Sequence, residues 1–374
     1  MKVVMTGGGT AGHVNPALGI ASIIKEKFPD AAIEFIGTKD RLEAKLVPKA
    51  GYPIHFIEVY GLHRSLSLQN IKTAWKTITS VAASKKLLKK IKPDLVVGTG
   101  GYVCFPVCYA AAKLGIPVAL HEANAEPGFA VKMLKNRADL VFVNFEDAGN
   151  FLKDGRCRVV HSGMPIDHGF STIDRASAKD TVKLTPDEKF SLLSFGGSLG
   201  AAKINESVLG FMQSYLTKHP EIGFTHAAGA KAYPEMKEKY EELGLDKYKN
   251  ISLVEYIYDM PMRMVAADLV ICRSGASTLS ELCAVGAPSV LIPSPNVTND
   301  QQYKNAKLLE DRGAAVIIRD ADLDAAGLEM TVDRLLSDGS RLDKMRQAAY
   351  DFAVHDTNKT ILDGLLSIMK ESNE

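Results

Sequence analysis

Two distant stretches of the chain share one form: a short apolar strand, a glycine-rich loop and the start of a helix. The first is Lys2-Val-Val-Met-Thr-Gly-Gly-Gly-Thr-Ala-Gly-His13-Val-Asn-Pro16, and the second is Ser191-Leu-Leu-Ser-Phe-Gly196-Gly-Ser-Leu-Gly-Ala201. Such a loop lets backbone N–H groups approach a phosphate at a helix N-terminus. The spacing Gly7, Gly9, Gly12 also meets the G-x-G-x-x-G dinucleotide pattern, which needs an acidic residue further on to hold a ribose. No such residue follows: Asp30 precedes the next strand (Ala31 to Ile36), Glu34 falls within it, and the strand runs out into Gly37 and Thr38. His13, on the first helical turn, is a titratable group that a dinucleotide site does not require. The first loop is open between a phosphate cradle and a catalytic element.

Apolar, β-branched strands alternate with helical stretches: strand Val3 to Thr6, helix Pro16 to Phe28, strand Ile33 to Ile36, helix near Arg41 to Ala50, strand Ile54 to Val59. This is the pattern of βαβ units and a mainly parallel sheet. At 374 residues the chain exceeds what one hydrophobic core usually organises. The alternation pauses near residue 165, in Ser162-Gly-Met-Pro165 and a polar segment through Glu188, and restarts at the second loop. Asp94-Leu-Val-Val-Gly-Thr-Gly-Gly-Tyr102 is echoed by Asp268-Leu-Val-Ile-Cys-Arg-Ser-Gly-Ala276. The expected fold class is α/β, with two Rossmann-like domains, 1–163 and 164–355, facing across a cleft. Ligands are expected at the carboxyl ends of the strands. The last helical pattern runs from about Arg341 to Lys370, and a C-terminal helix over about 356–374 is expected to pack back on the first domain.

Lys plus Arg at 45 against Asp plus Glu at 44 argues against a general nucleic-acid binder. The cysteines (104, 108, 157, 272, 283) show no C-x-x-C spacing and read as reduced thiols rather than a zinc site. No apolar run reaches the roughly eighteen residues of a membrane span. The chain enters a strand within two residues of its start, leaving no room for a signal peptide. The charge is unevenly spread: no acid lies between Glu58 and Asp94, whereas Arg64, Lys72, Lys76, Lys85, Lys86, Lys89, Lys90 and Lys92 are basic. Leu68, Ile71, Trp75, Ile78 and Ala82 recur at helical spacing, with Lys72 and Lys76 flanking them. The helix either faces a core with its lysines solvated or lies on an anionic lipid surface, where each lysine adds about 1 kcal/mol. The missing acids favour the lipid.

Further along, Ser198 lies between Gly196-Gly197 and Gly200, able to offer a hydroxyl and an N–H to a phosphate. In Arg273-Ser-Gly-Ala-Ser-Thr-Leu-Ser-Glu281, Glu281 is either a ribose acceptor or a carboxylate favoured by the helix dipole. Asn299-Asp-Gln-Gln302 binds a sugar or caps a helix. His121-Glu-Ala-Asn-Ala-Glu-Pro127 follows a strand, and on chemistry alone His121 and Glu122 read as hydrogen-bonded loop residues. Asp320-Ala-Asp322 has the D-x-D form of some metal sites, but it lies in an ordinary loop, so no metal is expected.

Taken in order, Gly7 to Pro16, Gly98-Thr-Gly-Gly-Tyr-Val103, His121 to Gly128, Gly196 to Ala201, Arg273 to Glu281 and Asp300 to Asn305 closely resemble the MurG family over essentially the whole chain. These are glycosyltransferases of the GT-B fold. They move N-acetylglucosamine (GlcNAc) from UDP-GlcNAc onto undecaprenyl-pyrophosphoryl-MurNAc-pentapeptide, converting lipid I to lipid II in peptidoglycan synthesis. The resemblance implies that the second domain holds the donor. Ser198 would touch the pyrophosphate, Ile257 would lie beside the uracil, and Ala276, Ser277, Thr278, Leu279 and Ser280 would line the phosphates and ribose. Glu281 would bind the ribose hydroxyls, and Gln301 with Gln302 the GlcNAc hydroxyls. Thr10, Ala11, Gly12 and Asn124 of the first domain would reach the donor sugar, while Gly12, His13, Gly100, Gly101 and Tyr102 would meet the acceptor diphosphate.

Leu68, Ile71, Lys72, Trp75, Lys76 and Ile78 would form the surface that meets anionic lipid on the cytoplasmic face of the cell membrane. UDP-GlcNAc is a co-substrate, and neither a cofactor nor an active-site metal is implied. The sequence departs from the family twice: Gly-Asn-Pro with a nearby arginine reads Gly163-Met-Pro-Ile-Asp167, and His-Glu-Gln-Asn reads His121-Glu-Ala123-Asn. The first departure puts a diphosphate contact in doubt. The implied reaction is a single inverting displacement, with His13 as the expected base and Glu122 in reserve. UDP-GlcNAc 2-epimerase, a soluble-acceptor GT-B transferase, a dinucleotide oxidoreductase and a non-catalytic UDP-sugar binder are the rival readings.

Overall fold

The computed structural model describes residues 1–59, 68–197 and 199–371, with the side chains of 68–77, 171 and 371 outside that description. Ser198, and the side chains of Leu68, Ile71, Lys72, Trp75 and Lys76, therefore lie outside the described residues. The chain divides into two compact units, Met1–Ile166 with Val354–Glu374, and Asp167–Ala353.

The first unit holds strands β1 (Lys2–Thr6), β2 (Ala32–Gly37), β3 (Ile54–Phe56), β4 (Leu95–Gly98), β5 (Val118–Glu122), β6 (Leu140–Val143) and β7 (Arg158–His161). They form one parallel sheet in the order β3-β2-β1-β4-β5-β6-β7. Its helices are α1 (Ala11–Lys27), α2 (Glu43–Lys49), α3 (Leu68–Ile91), α4 (Cys104–Lys113) and α5 (Phe129–Leu134). Strands covered on both faces read as continuous apolar runs. The period of two sends Val3 and Met5 to the layer that contains Ile20 and Ile24 of α1. Val4 goes to the opposite layer, with Leu88 of α3 and Val107 of α4.

The second unit repeats the plan with β8 (Phe190–Phe195), β9 (Ile222–Ala227), β10 (Ile251–Val254), β11 (Leu269–Cys272), β12 (Ser289–Leu291) and β13 (Ala315–Ile317). Their order is β10-β9-β8-β11-β12-β13, again parallel. Its helices are α6 (Gly169–Thr172), α7 (Arg175–Val182), α8 (Ala202–Ser214), α9 (Tyr233–Glu242), α10 (Met260–Ala266), α11 (Ala276–Val285), α12 (Gln301–Asp311), α13 (Ala325–Leu336) and α14 (Gly339–Phe352). The last helix, α15 (Thr357–Glu371), belongs to the first unit.

Three local features refine the expectations. Helix α1 starts at Ala11 rather than Pro16, so Pro16 is interior and, lacking an N–H, leaves the Gly12 carbonyl without its helical donor. The pattern from Arg341 to Lys370 resolves into α14 in the second unit and α15 in the first. Ile361, Leu365 and Ile368 of α15 join the α1 layer, and Gly364 admits the Phe142 ring where a Cβ would stand at 2.7 Å. In α3 the buried face runs through Ser80, Ser84, Leu88 and Ile91, while Ile78 is 65% exposed and Ala82 is also exposed. Ile78 thus stands off the core-facing side. No helix among the described residues is long and apolar enough to cross a membrane.

Candidate active site

In both sheets the strand order reverses between two central neighbours, β1 and β4 in the first unit and β8 and β11 in the second. Open α/β sheets bind ligands at the carboxyl ends of strands beside such a reversal. The four loops that follow those strands, with the helix starts they lead into, contain most of the site residues singled out from the sequence.

After β1, the loop is held from behind by a residue that sequence reasoning missed. Glu43, buried on α2, accepts from Gly9 N (2.9 Å), Thr38 N (3.0 Å) and Thr38 Oγ1 (2.6 Å). Gly8 N donates to the Gly100 carbonyl at 3.3 Å. Two glycine N–H groups are thereby consumed inside the unit. The N–H groups of Ala11 and Gly12, at the start of α1, have no helical acceptor. Gly9 and Gly12 are open above: a Cβ on Gly9 would meet nothing within 4 Å, and on Gly12 only Thr10 Oγ1 at 3.8 Å. Thr99 Oγ1 donates to the His13 carbonyl at 2.6 Å, tying α1 to the loop after β4.

His13 is half-buried, with Nδ1 3.1 Å from the Gly8 carbonyl and 3.3 Å from Thr10 Oγ1. Donation from Nδ1–H to Gly8 leaves Nε2 with its lone pair and no protein partner among the described residues. Burial lowers the pKa of His13; the Gly8 hydrogen bond and the Glu43 charge oppose that shift. The imidazole is therefore neutral at pH 7. Its ring rests on Gly100, where a Cβ would stand 2.6 Å from Cδ2, and Gly101 packs on the Gly8 carbonyl with no room for a side chain. Both glycines have positive φ, +105° and +81°. Tyr102 beside them is 64% exposed.

The loop after β5 is a closed polar knot. His121 is fully buried, and its Nε2 pairs with the Gly163 carbonyl at 2.9 Å. Burial pulls its pKa down to about 4. Met164, in the Gly163-Met-Pro-Ile-Asp167 departure, is buried beside that carbonyl. Glu122 is buried too, and both its oxygens are engaged: Oε1 by Asn124 N (2.9 Å) and Nδ2 (3.1 Å), Oε2 by Gly128 N (2.7 Å). Burial raises its pKa against those hydrogen bonds. Gly128 is the N-cap of α5, so the carboxylate shapes the loop and the start of that helix.

In the second unit, the loop after β8 turns through Gly197 (φ +91°) and Gly200 (φ +78°) into α8. Nothing stands within 4 Å of a Cβ on Gly197, whereas Gly200 is packed against the Ala228 carbonyl. The loop after β11 leads to α11 with Gly275 as N-cap, placing Ala276, Ser277 and Thr278 in its first turn. Leu279 points into the core and its N–H donates to Gly275, so it supports that turn from below. Ser280 Oγ donates to the Ala276 carbonyl at 3.0 Å. Burial, then the charge of Asp167, pushes the Glu281 carboxyl up to about 7.

Ile257, in the loop between β10 and α10, is buried. Asn299 and Asp300 both adopt left-handed backbone (φ +56° and +53°) and turn the chain into α12, which Gln301 and Gln302 begin. Gln302 Oε1 accepts from Ser294 N at 2.8 Å, and its carbonyl accepts from Ser274 Oγ at 2.9 Å. In the D-x-D stretch, Asp320 pairs with Arg273 at 2.5 Å, and Arg273 also donates to the Ile292 and Pro293 carbonyls. Among the described residues no cluster of three or more His, Cys, Asp or Glu side chains is placed to hold a metal.

Comparison with known proteins gives the family and the fold. The Glycosyltransferase family 28 N-terminal domain matches residues 3–143, and the Glycosyltransferase family 28 C-terminal domain matches residues 191–361. A protein of Acetivibrio thermocellus named UDP-N-acetylglucosamine–N-acetylmuramyl-(pentapeptide) pyrophosphoryl-undecaprenol N-acetylglucosamine transferase is 40% identical over 372 residues, 99% of each chain. A Listeria monocytogenes protein of the same name is 40% identical over 99% of this chain and 100% of its own. The crystal structure of Acinetobacter baumannii MurG has a TM-score of 0.79 at 27% identity, over 98% of this chain and 99% of that one. An S. aureus MnaA–UDP structure, at TM-score 0.69 and 16% identity over 100% of this chain and 98% of that one, shares the fold alone. With both domains matched and near-full-length relatives at 40% identity, the chain belongs to glycosyltransferase family 28 and, within it, to the MurG family.

Proposed function

We propose that the protein transfers GlcNAc from UDP-GlcNAc to the C4 hydroxyl of MurNAc in lipid I, giving lipid II with inversion at the anomeric carbon. The near-full-length relatives named for this reaction support the substrates. His13 carries the chemistry: its Nδ1 is held by Gly8, and its Nε2 lone pair is unused at a sheet reversal. In this reading Nε2 takes the proton of the acceptor hydroxyl as its oxygen attacks C1 of GlcNAc and the C1–O bond to UDP breaks. A neutral imidazole is the form that can accept that proton. Glu122, with both oxygens engaged, positions Asn124 and α5 rather than accepting a proton.

The acceptor diphosphate is assigned to Gly12, Gly100, Gly101 and Tyr102, and Thr10, Ala11 and Asn124 are assigned to the donor sugar. The donor is assigned to the second unit: its diphosphate to Ser198 and the starts of α8 and α11, including Ala276, Ser277 and Thr278. Uracil goes to Ile257, the ribose to Glu281, and the sugar hydroxyls to Gln301 and Gln302. Charge on departing UDP would be met by helix-start N–H groups, an electrostatic role, without a metal. The lipid acceptor supports work at the membrane surface, which we assign to the cytoplasmic face of the cell membrane. Exposed Ile78 on the lysine-rich helix α3 supports peripheral docking there.

The deciding experiment is UDP release from UDP-GlcNAc with and without a short-chain lipid I analogue. Acceptor-dependent release with lipid II formation is expected. Conversion of UDP-GlcNAc to UDP-ManNAc without acceptor would replace this reading with a 2-epimerase. Co-sedimentation with vesicles containing anionic lipid, lost in neutral vesicles, checks the membrane assignment.

A further inference from the structure

Beneath the glycine loop of the second unit runs a chain of buried polar side chains that the reaction above does not use. Ser194 of β8 and His226 of β9 are register partners, and both are fully buried. Ser194 Oγ lies 3.0 Å from His226 Nδ1, and His226 Nε2 lies 3.1 Å from Oδ1 of Asn205 on α8. Asn205 Nδ2 donates to the Ala228 carbonyl at 2.9 Å. That last bond orients the amide, so Oδ1 accepts from His226 Nε2–H and Nδ1 accepts from the Ser194 hydroxyl. Burial pulls the His226 pKa down to about 3, so the ring is neutral at any working pH.

The chain ends where the loop is packed most closely. Gly200 rests on the Ala228 carbonyl with no room for a Cβ, and Gly229 packs back on the backbone of Leu199 and Gly200. Asn205 lies in the opening turn of α8, directly after the loop, so its side-chain amide ties that helix start to the Ala228 backbone the loop lies on.

We propose that Ser194, His226 and Asn205 are positioning residues that set the Gly196–Ala201 loop for the donor diphosphate. The inference rests on the donor assignment above. Its directionality is specific: each group has one orientation that satisfies its neighbours, and a buried polar group left unpaired is costly. A loop shifted by a fraction of an ångström loses diphosphate contacts and leaves the nucleoside contacts of α11 and Ile257 alone. A merely structural core network would weaken all ligands together or none.

The test is calorimetric affinity for UDP and for uridine, beside thermal melting, on the full chain. In His226→Leu and Asn205→Leu, UDP affinity should fall about tenfold while uridine affinity moves less than about twofold. Asn205→Asp keeps an acceptor for His226 but loses the donor to Ala228, and should resemble Asn205→Leu. His226→Gln can supply an N–H to Asn205 and should recover most of the UDP affinity. Ser194→Ala, the mildest change, serves if the leucine variants do not fold, with a loss of roughly threefold for UDP alone. Parallel loss of UDP and uridine affinity, or unchanged UDP affinity in folded variants, would overturn the inference. Failure of the wild-type protein to bind UDP would overturn the donor assignment and this inference with it.

Discussion

The two glycine loops begin as the same sequence device and end as different instruments. In the first, Glu43 and the Gly100 carbonyl take the N–H groups of Gly9 and Gly8. What the loop presents is the start of α1 and the His13 imidazole. In the second, the back is closed against Ala228 and Gly229 by a neutral polar chain, and the described loop residues carry no titratable side chain. A glycine loop is therefore not a phosphate site by composition: what matters is which of its N–H groups the rest of the unit has already taken.

Removing His13 should give the largest effect that separates the loops. His13→Ala is expected to lower kcat by roughly 10²- to 10⁴-fold with little change in donor KM, measured by acceptor-dependent UDP release; unchanged turnover would sink the base assignment. In the wild type the acid limb of kcat/KM for the acceptor should lie below the ordinary histidine value of 6.5, because the His13 pKa is lowered in the free protein and the base works only when unprotonated.

Adding a methyl to each loop's backing comes next. Gly101→Ala and Gly200→Ala each force a side chain into left-handed backbone and onto a carbonyl oxygen, a cost of about 1–3 kcal/mol before the loop shifts. Both should lower Tm, but Gly101→Ala should damage acceptor-dependent turnover and Gly200→Ala UDP binding. If each lost both functions equally, the division of labour would be wrong. Glu43→Gln should cost about 1–3 kcal/mol in urea unfolding, since an amide cannot accept all three donors with both ends, and it should depress kcat more than UDP affinity.

The smallest effect is a pH shift. In its proposed role Glu281 accepts from ribose hydroxyls best when ionised, so donor KM should fall as pH rises through about 7. Asp167→Asn removes a neighbouring negative charge and keeps an acceptor for Gly169 N, so the fall in KM should move to lower pH. An unmoved profile would mean that burial alone sets the Glu281 proton.

Much of the architecture was legible because strands buried on both faces must be continuous apolar runs and their turns must contain glycine. The start of α1 was misread because Pro16 is a typical first helical residue, whereas Thr10 caps the helix from further back with no side-chain hydrogen bond to mark it. The break between α14 and α15 falls where a separate C-terminal helix over about 356–374 was expected, and there Val354 and Thr357 pack on Gly163, from a distant part of the chain. Glu43 carried no local signal at all: an acid on a short helix looks solvated until the fold closes Gly9 and Thr38 over it.

The sequence by itself determined the two α/β units, the loops of the candidate site and the family, because these depend on periodicity and on residue types at short spacing. Only the tertiary structure decided which N–H groups remain free, which nitrogen of His13 holds the proton, why Glu122 is occupied and why Glu281 titrates near neutrality. Those properties follow from desolvation and from hydrogen-bond partners far apart in the chain, and no local pattern encodes them.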